Sequence, residues 1–276
     1  MAIIDKLNSI ITKNNSLACV GLDSEIKKIP SHLQNNPTPQ FTFNKAIIDA
    51  THDLVCAYKP NSAFYEARGV KGIEELKMTC DYIKTNYPEM IIILDAKRAD
   101  IGNTNEGYAS FCFDYLGVDA VTVHPYFGKE AVAPFLKRAD KGAIILCRTS
   151  NPGAGEFQDL KIGDRQLYKI VAEKVTKEWN TNGNCFLVIG ATYPEELAEV
   201  RKIAGEMTFL VPGIGAQGGD VEKTVKAGLN SQKAGMIINS SRGIIFASSG
   251  EDFAQKARKE TIKLKEEINK HRKETL

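Results

Sequence analysis

The stretch MIIILDAK, residues 90–97, is a run of aliphatic residues that ends in two charged side chains. Asp95 and Lys97 stand two positions apart, so their side chains project to the same side of an extended strand. Asp100 follows Lys97 by three residues. The stretch therefore predicts a buried strand whose carboxyl end directs several charges at one place.

Seven further apolar runs occur along the chain, and stretches with helical spacing of their apolar residues lie between them. The eight runs are SLACVGLD (16–23), LVCAYKPN (54–61), MIIILDAK (90–97), DAVTVHPY (119–126), AIILCRTS (143–150), NCFLVIGA (184–191), TFLVPGIG (208–215) and GMIINSSRG (235–243). This alternation is typical of βα units and a parallel sheet. Eight units in about 250 residues favour one closed (β/α)8 TIM barrel of the α/β class over a doubly wound sheet. We interpret residues 1–276 as a single domain.

Three local features surround this pattern. Residues 2–14 place their apolar side chains on one face, which predicts an extra N-terminal helix over the bottom of the barrel. Residues 27–40, KKIPSHLQNNPTPQ, are rich in Pro, Asn and Gln and predict a long loop after the first strand. Thr192 and Glu195 have the spacing of a capping box at the start of a helix.

Composition excludes several classes of protein. The chain has 36 basic and 34 acidic residues without a concentrated basic region outside its C-terminal helix, so nucleic acid is not an expected partner. No apolar run approaches the roughly 20 residues of a membrane-spanning helix, and the N-terminus lacks the basic segment of a signal peptide. The six cysteines form no CxxC pair and the four histidines are isolated. We expect a cytoplasmic protein without a zinc site.

In barrels of this kind the active site lies at the carboxyl ends of the strands. Polar residues follow the predicted strands there, namely Asp23, Lys59, Asn61, Asp95, Lys97, His124, Thr149, Ser150, Ser241 and Arg242. Without any family resemblance, the charged residues of 95–100 are also compatible with a structural ion pair. Ser150 and Asn61 are likewise compatible with a role in turns. We interpret His124 as a structural residue and not as a general base.

The segment LDAKRADIGNT, residues 94–104, resembles the orotidine 5′-phosphate decarboxylase family, whose signature is D-x-K-x-x-D-I-x-N-T after an apolar run. Other segments also look like that family and follow its order. They are VGLD (20–23), KPNSAFYE (59–66), TSNPG (149–153), VPGIGAQGGD (211–220) and NSSRGI (239–244). The resemblance spans the chain from the first predicted strand to the eighth and is closest to the longer bacterial subgroup.

The resemblance implies conversion of orotidine 5′-monophosphate to uridine 5′-monophosphate and CO2 in pyrimidine biosynthesis, without a metal or an organic cofactor. Lys97 is the implied proton donor to C6 of the pyrimidine. Asp95 would lie near the substrate carboxylate, and Lys59 and Asp100 would complete an alternating array of lysines and aspartates that keeps the lysines charged.

The resemblance also implies the substrate contacts. Arg242 would bind the phosphate, and Gln217 would bridge phosphate and pyrimidine in a loop that closes over the ligand. Asp23 and Thr104 would bind the ribose hydroxyls, Asn61 would lie beside Lys59, and Ser150 would contact the pyrimidine amide. We further expect a homodimer in which Asp100, Ile101 and Thr104 reach into the partner's site.

Two other functions remain open from the sequence. One is a Mg²⁺-dependent decarboxylase or aldolase acting on a sugar phosphate, because barrels of the same suprafamily share D-x-K-x-x-D. The other is a barrel that binds nucleotides without catalysis. All four charged residues of the array are present, which favours an enzyme over the second alternative.

Overall fold

The computed structural model describes residues 1–215 and 218–274. Eight parallel strands close into a barrel in chain order. They are β1 Ala18–Gly21, β2 Ala57–Lys59, β3 Ile91–Arg98, β4 Ala120–Val123, β5 Gly142–Arg148, β6 Cys185–Ile189, β7 Phe209–Pro212 and β8 Met236–Ser240. Ala18 of β1 pairs with Ile238 of β8, which closes the ring. The predicted α/β class and (β/α)8 barrel are confirmed, with all eight runs in the barrel.

Helices surround the barrel and connect successive strands. The α-helices are Ile3–Asn14, Ser31–Gln34, Pro39–Thr51, Ala63–Glu66, Gly69–Asn86, Gly102–Ser110, Gly128–Leu136, Gly155–Gln158, Leu167–Lys174, Pro194–Ala204, Val221–Gly228, Arg242–Ile245 and Phe253–Glu274. The π-helical turns Phe111–Tyr115 and Val175–Trp179 extend two of these helices, and Ile26–Lys28 and Pro152–Ala154 are 3₁₀ turns. Lys161–Ile162 and Arg165–Gln166 form a small antiparallel hairpin between β5 and β6. None of the helices within the described residues combines the length and apolar character needed to cross a membrane.

The barrel strands are buried on both faces, between the barrel interior and the helices. Every residue of β1, β4 and β6 is buried, as expected for apolar runs in a parallel sheet. The predicted N-terminal helix is confirmed as Ile3–Asn14, with Leu7 buried on its inner face. Lys6 of this helix forms a 2.7 Å ion pair with Asp119, directly before β4, so the helix covers the amino-terminal end of the barrel.

Two local predictions were wrong. The predicted loop 27–40 contains the short helix Ser31–Gln34, and the next helix begins within it at Pro39, a residue suited to the first helical position. The predicted capping box also does not form. The helix Pro194–Ala204 begins at its proline, with the non-helical Tyr193 before it, and the Thr192 hydroxyl is buried without a partner in the described part of the chain.

Candidate active site

A cavity of about 640 Å³ opens at the carboxyl ends of the barrel strands. Seven of the eleven predicted site residues line it: Asp23, Lys59, Asn61, Asp95, Lys97, Ser150 and Arg242. They reach the cavity because each follows or ends a strand whose carboxyl end faces this side of the barrel. A cavity with a charged lining therefore lies at the predicted location of the site.

Charges of opposite sign alternate along one wall of this cavity. Nζ of Lys97 lies 2.6 Å from Oδ1 of Asp95, and Nζ of Lys59 lies 3.2 Å from Oδ2 of the same carboxylate. Lys59 also lies 4.0 Å from Oδ1 of Asp23. Asn61 donates a 3.4 Å hydrogen bond to Oδ2 of Asp95. Asp95 is the centre of this network, since it contacts both lysines and the amide.

The network keeps its buried members charged. Burial acts to lower the pKa of Lys59, but the carboxylates of Asp95 and Asp23 outweigh burial and raise that pKa above its ordinary value. Burial likewise acts to raise the pKa of Asp95. The charges of Lys59 and Lys97, with hydrogen bonds from Lys97 and Thr122, outweigh burial and hold that pKa well below its ordinary range. An ammonium and a carboxylate therefore face each other in the cavity at neutral pH.

Lys97 differs from Lys59 in its access to the cavity. Half of the Lys97 side chain is exposed, whereas Lys59 is buried. Its ammonium has three N–H donors and gives one to Asp95, which leaves donors for a ligand. Its backbone φ is +48°, in the left-handed region that residues other than glycine rarely occupy. Unusual backbone conformations of this kind cluster at functional sites.

Three predicted residues lie outside the cavity of this subunit. The Asp100 carboxylate accepts a 2.7 Å hydrogen bond from the backbone N–H of Ile101 and forms no ion pair with a described lysine. Ile101 is 61% exposed, and Thr104 is exposed. One subunit therefore does not bring Asp100 into the charged array. The assignment of these three residues to a partner's site stays a prediction.

Arg242 lines the cavity at the first position of the helix Arg242–Ile245, and Gly213 and Ile214 of the loop after β7 line the same cavity. Its side chain is exposed and forms no ion pair within the described residues. Gly213 and Gly215 have φ values of +107° and +79°, in the region that favours glycine. These features fit an anion. Gln217, which we predicted to join this region, lies outside the described residues.

Gly21 of β1 makes room for the segment that carries Arg242. A Cβ atom at Gly21 would lie 1.8 Å from Oγ of Ser241. Real Cβ atoms do not approach other atoms so closely, so any larger residue at this position would force Ser241 to move. The glycine in VGLD therefore has a packing role that links β1 to the segment after β8.

Sequence reasoning missed two polar residues of the cavity. Thr122 lies on β4 and hydrogen-bonds Asp95 at 2.9 Å. Asn239 on β8 is 6% exposed, and its Oδ1 atom finds no hydrogen-bond partner among the described residues. Both are polar residues within apolar runs, which is the signal that could have identified them. His124, in contrast, hydrogen-bonds the carbonyl of Ala99 at 3.1 Å through Nε2 and lies outside the cavity lining, which supports its structural interpretation.

Potential metal ligands converge away from this cavity. In the described part of the chain, Glu222, His271 and Glu274 place their ligand atoms within 4.8 Å of one another. They lie on the helices Val221–Gly228 and Phe253–Glu274. In the cavity itself, Asp23 and Asp95 lie within 4.0 Å of the ammonium of Lys59, and Asp95 also contacts Lys97, so two ammonium groups compensate the two carboxylates.

The chain is similar in sequence and in structure to known proteins of one family. Residues 16–257 match the family model described as "Orotidine 5'-phosphate decarboxylase / HUMPS family". The chain is 49% identical over 271 residues to the orotidine 5′-phosphate decarboxylase of Cellvibrio japonicus, covering 98% of both chains. The structure of Leishmania donovani OMP decarboxylase has a TM-score of 0.86 and 39% identity, with 99% of both chains covered.

A second Leishmania donovani structure, UMP synthase, has a TM-score of 0.88 and 39% identity. The match covers 99% of the present chain but 57% of that longer protein. The family match extends from just before β1 into the helix Phe253–Glu274, and so includes all eight barrel strands. The chain therefore belongs to the orotidine 5′-phosphate decarboxylase / HUMPS family.

Proposed function

We propose that this protein converts orotidine 5′-monophosphate to uridine 5′-monophosphate and CO2, with residues 1–276 acting as one decarboxylase domain. The observation that carries the proposal is a line of four alternating charges in the same cavity as Arg242, namely Asp23, Lys59, Asp95 and Lys97. The cavity thus offers a charged wall for the reacting part of a nucleotide and a guanidinium for its phosphate. The names of the relatives agree with this reaction.

The chemistry explains why such an array is needed. Loss of CO2 from C6 of the orotate ring leaves an electron pair in the ring plane, where no carbonyl group in conjugation can accept it. Stabilisation must then come from a positive charge held close to C6. The half-exposed ammonium of Lys97 has donors available for this purpose. It supplies the electric field and then the proton, which makes it the general acid.

Asp95 serves Lys97 in this mechanism. Its 2.6 Å contact orients the ammonium, and its lowered pKa keeps it anionic. It would also lie near the substrate carboxylate. Two like charges about 4 Å apart repel by roughly 4 kcal/mol at an effective dielectric constant of about 20. That repulsion disappears when CO2 leaves, so the carboxylate favours the reaction in addition to holding its proton donor.

The family resemblance implies the remaining contacts, and polar atoms of the cavity support several of them. Oδ1 of Asp23 is buried and accepts no hydrogen bond within the described residues, so it is suited to a ribose hydroxyl donor. Arg242 is suited to bidentate contact with phosphate. Ser150 would bind the pyrimidine amide, and Asn61 would support the array through Asp95. Gln217 would bridge phosphate and pyrimidine.

We also infer a homodimer in the cytoplasm. Asp100 and Thr104 lie outside the cavity of their own subunit, and Ile101 presents an exposed apolar side chain beside them. A two-fold interface would cover Ile101 and bring the other two residues to the partner's site. All six cysteines are buried and unpaired, which suits a reducing compartment.

The test is product formation by protein treated with EDTA. Purified protein is incubated with orotidine 5′-monophosphate, and uridine 5′-monophosphate is quantified by chromatography with and without chelator. We expect equal rates in both samples. No product from the nucleotide, together with Mg²⁺-dependent turnover of a sugar phosphate, would favour a metal-dependent enzyme of the same suprafamily. Binding of the nucleotide without product would indicate a non-catalytic barrel.

A further inference from the structure

Thr122 lies beside the irregular end of β3. Pairing between β3 and β4 shifts register there: Leu94 pairs with Val121, and Arg98 pairs with Val123. Three residues of β3, 95–97, therefore stand opposite Thr122 alone. Such a bulge interrupts the backbone ladder and leaves amide groups without their usual partners. Thr122 is 1% exposed and faces this interruption.

The Thr122 hydroxyl takes the place of the backbone hydrogen-bond partners that the bulge removes. Its Oγ1 atom accepts hydrogen bonds from the backbone N–H groups of Ala96 and Lys97, both at 3.0 Å. It also lies 2.9 Å from Oδ1 of Asp95. A hydroxyl has one donor and two acceptor sites, so three neighbours saturate it.

The direction of each bond follows from the chemistry of these neighbours. Both amides can only donate, so they occupy the two acceptor sites of the hydroxyl. Its single hydrogen must then point to Asp95, whose ionised carboxylate can only accept. One side chain thus fixes the backbone at Lys97 and the carboxylate that contacts the ammonium of Lys97. Both ends of the Asp95–Lys97 contact depend on it.

We infer that Thr122 is a positioning residue for the decarboxylation: its hydroxyl holds the bulge at 95–97 so that the Lys97 ammonium is aimed into the cavity. The left-handed φ of +48° at Lys97 is the conformation that this hydroxyl supports. The inference rests on the proposed function. The hydroxyl itself is expected to make no contact with the reacting carbon.

Thr122→Val tests the inference because valine keeps the shape of threonine and removes the hydroxyl. We expect kcat to fall on the order of 100-fold, the effect of misplacing a catalytic group by about 1 Å, with KM changed less than threefold. Thr122→Ser restores the hydroxyl and should remain within tenfold of the wild-type kcat. A kcat for the valine variant within threefold of wild type would overturn the inference.

A matched control separates positioning from general stability. Thr261 is also fully buried, and its hydroxyl bonds a helix carbonyl in Phe253–Glu274, remote from the cavity. Thr261→Val should lower thermal stability while kcat of the folded protein stays at the wild-type value. If Thr122→Val fails to fold, Thr122→Cys provides a weak donor of similar size. The cysteine variant should then lose kcat relative to serine, and equal kcat values would overturn the inference.

A crystal structure of Thr122→Val without substrate tests whether Thr122 positions Lys97. We expect Lys97 to leave the left-handed region or its ammonium to move away from Asp95. Unchanged geometry at both residues would contradict the positioning role whether or not the protein decarboxylates the nucleotide. Absence of turnover by the wild-type protein would instead contradict the proposed function.

Discussion

Nζ of Lys97 lies 2.6 Å from Oδ1 of Asp95, although the two residues are separated by one position at the end of the same strand. In a regular strand their Cα atoms would be about 7 Å apart, with parallel side chains. Here the strand β3 has a register shift and Lys97 has a left-handed backbone conformation, and both occur where Asp95 and Lys97 make contact. The geometry of the pair is thus set by the backbone as well as by side-chain torsions.

Removal of the Arg242 guanidinium should affect both binding and turnover. We expect Arg242→Ala to raise KM at least tenfold and to lower kcat, because phosphate binding energy also helps to close the loop after β7 over the reacting ring. Steady-state kinetics would measure both constants. Arg165→Ala, an exposed arginine paired with Glu173 outside the cavity, is the control and should keep wild-type kinetics.

Free phosphite tests the same idea in the wild-type protein. With a nucleoside substrate that lacks the phosphate group, added phosphite should stimulate decarboxylation, because the phosphate site can then be filled separately. Arg242→Ala should lose most of this stimulation. No stimulation of the wild-type protein would argue against loop closure driven by the phosphate.

Asp100 should act in the partner's site. The Lys97→Ala and Asp100→Ala homodimers should each be nearly inactive. After the two variants are unfolded together and refolded, about half of the dimers are mixed, and each mixed dimer contains one site with both changes and one intact site. Activity per site should recover to about a quarter of the wild-type value. Were Asp100 to serve its own subunit, the mixture would be no more active than its components.

The charge of Asp95 should make stability depend on pH in acid. Its folded pKa lies below the ordinary value of 3.8, so its carboxylate stabilises the fold above that pH. This contribution is lost as the pH falls from 3.8 towards the folded pKa. The difference in the free energy of unfolding between wild type and Asp95→Asn, measured with urea, should be constant between about pH 5 and pH 8 and should shrink below pH 3.8. If the difference in the free energy of unfolding instead grew below pH 3.8, it would contradict an ionised Asp95 carboxylate that stabilises the fold.

The barrel was predictable because each strand is a separate apolar run with a polar ending. MIIILDAK shows both properties, and β3 places its aliphatic residues in the core and Asp95 in the cavity. Its polarity within an apolar run marked Thr122 as a candidate, but its role was not predictable in the same way. A threonine inside DAVTV has ordinary strand character, and its role depends on a register shift in another strand. Such a shift arises from pairing between strands and leaves no periodic pattern in either one.

Other errors have similar physical causes. The residues 27–40 have a turn-like composition, yet Ser31–Gln34 forms a helical turn that packs close to the helix Pro39–Thr51. Thr192 and Glu195 have the right spacing for a capping box, but Pro194 sets the helix start. In both places a local rule was overridden by a neighbouring element or residue. Asp100 is a different case, because its place beside the lysines depends on a partner subunit and stays a prediction.

Lys97 is the proposed proton donor, and the loss of orotidine 5′-monophosphate absorbance in the ultraviolet tests this role most directly. Wild type, Lys97→Ala and Lys71→Ala are compared, where Lys71 is an exposed lysine on the helix Gly69–Asn86, and circular dichroism verifies that each is folded. We predict rapid loss of absorbance with wild type and Lys71→Ala, and a rate on the order of 10⁴-fold lower with Lys97→Ala. A folded Lys97→Ala protein that retains activity within tenfold of wild type would contradict the account.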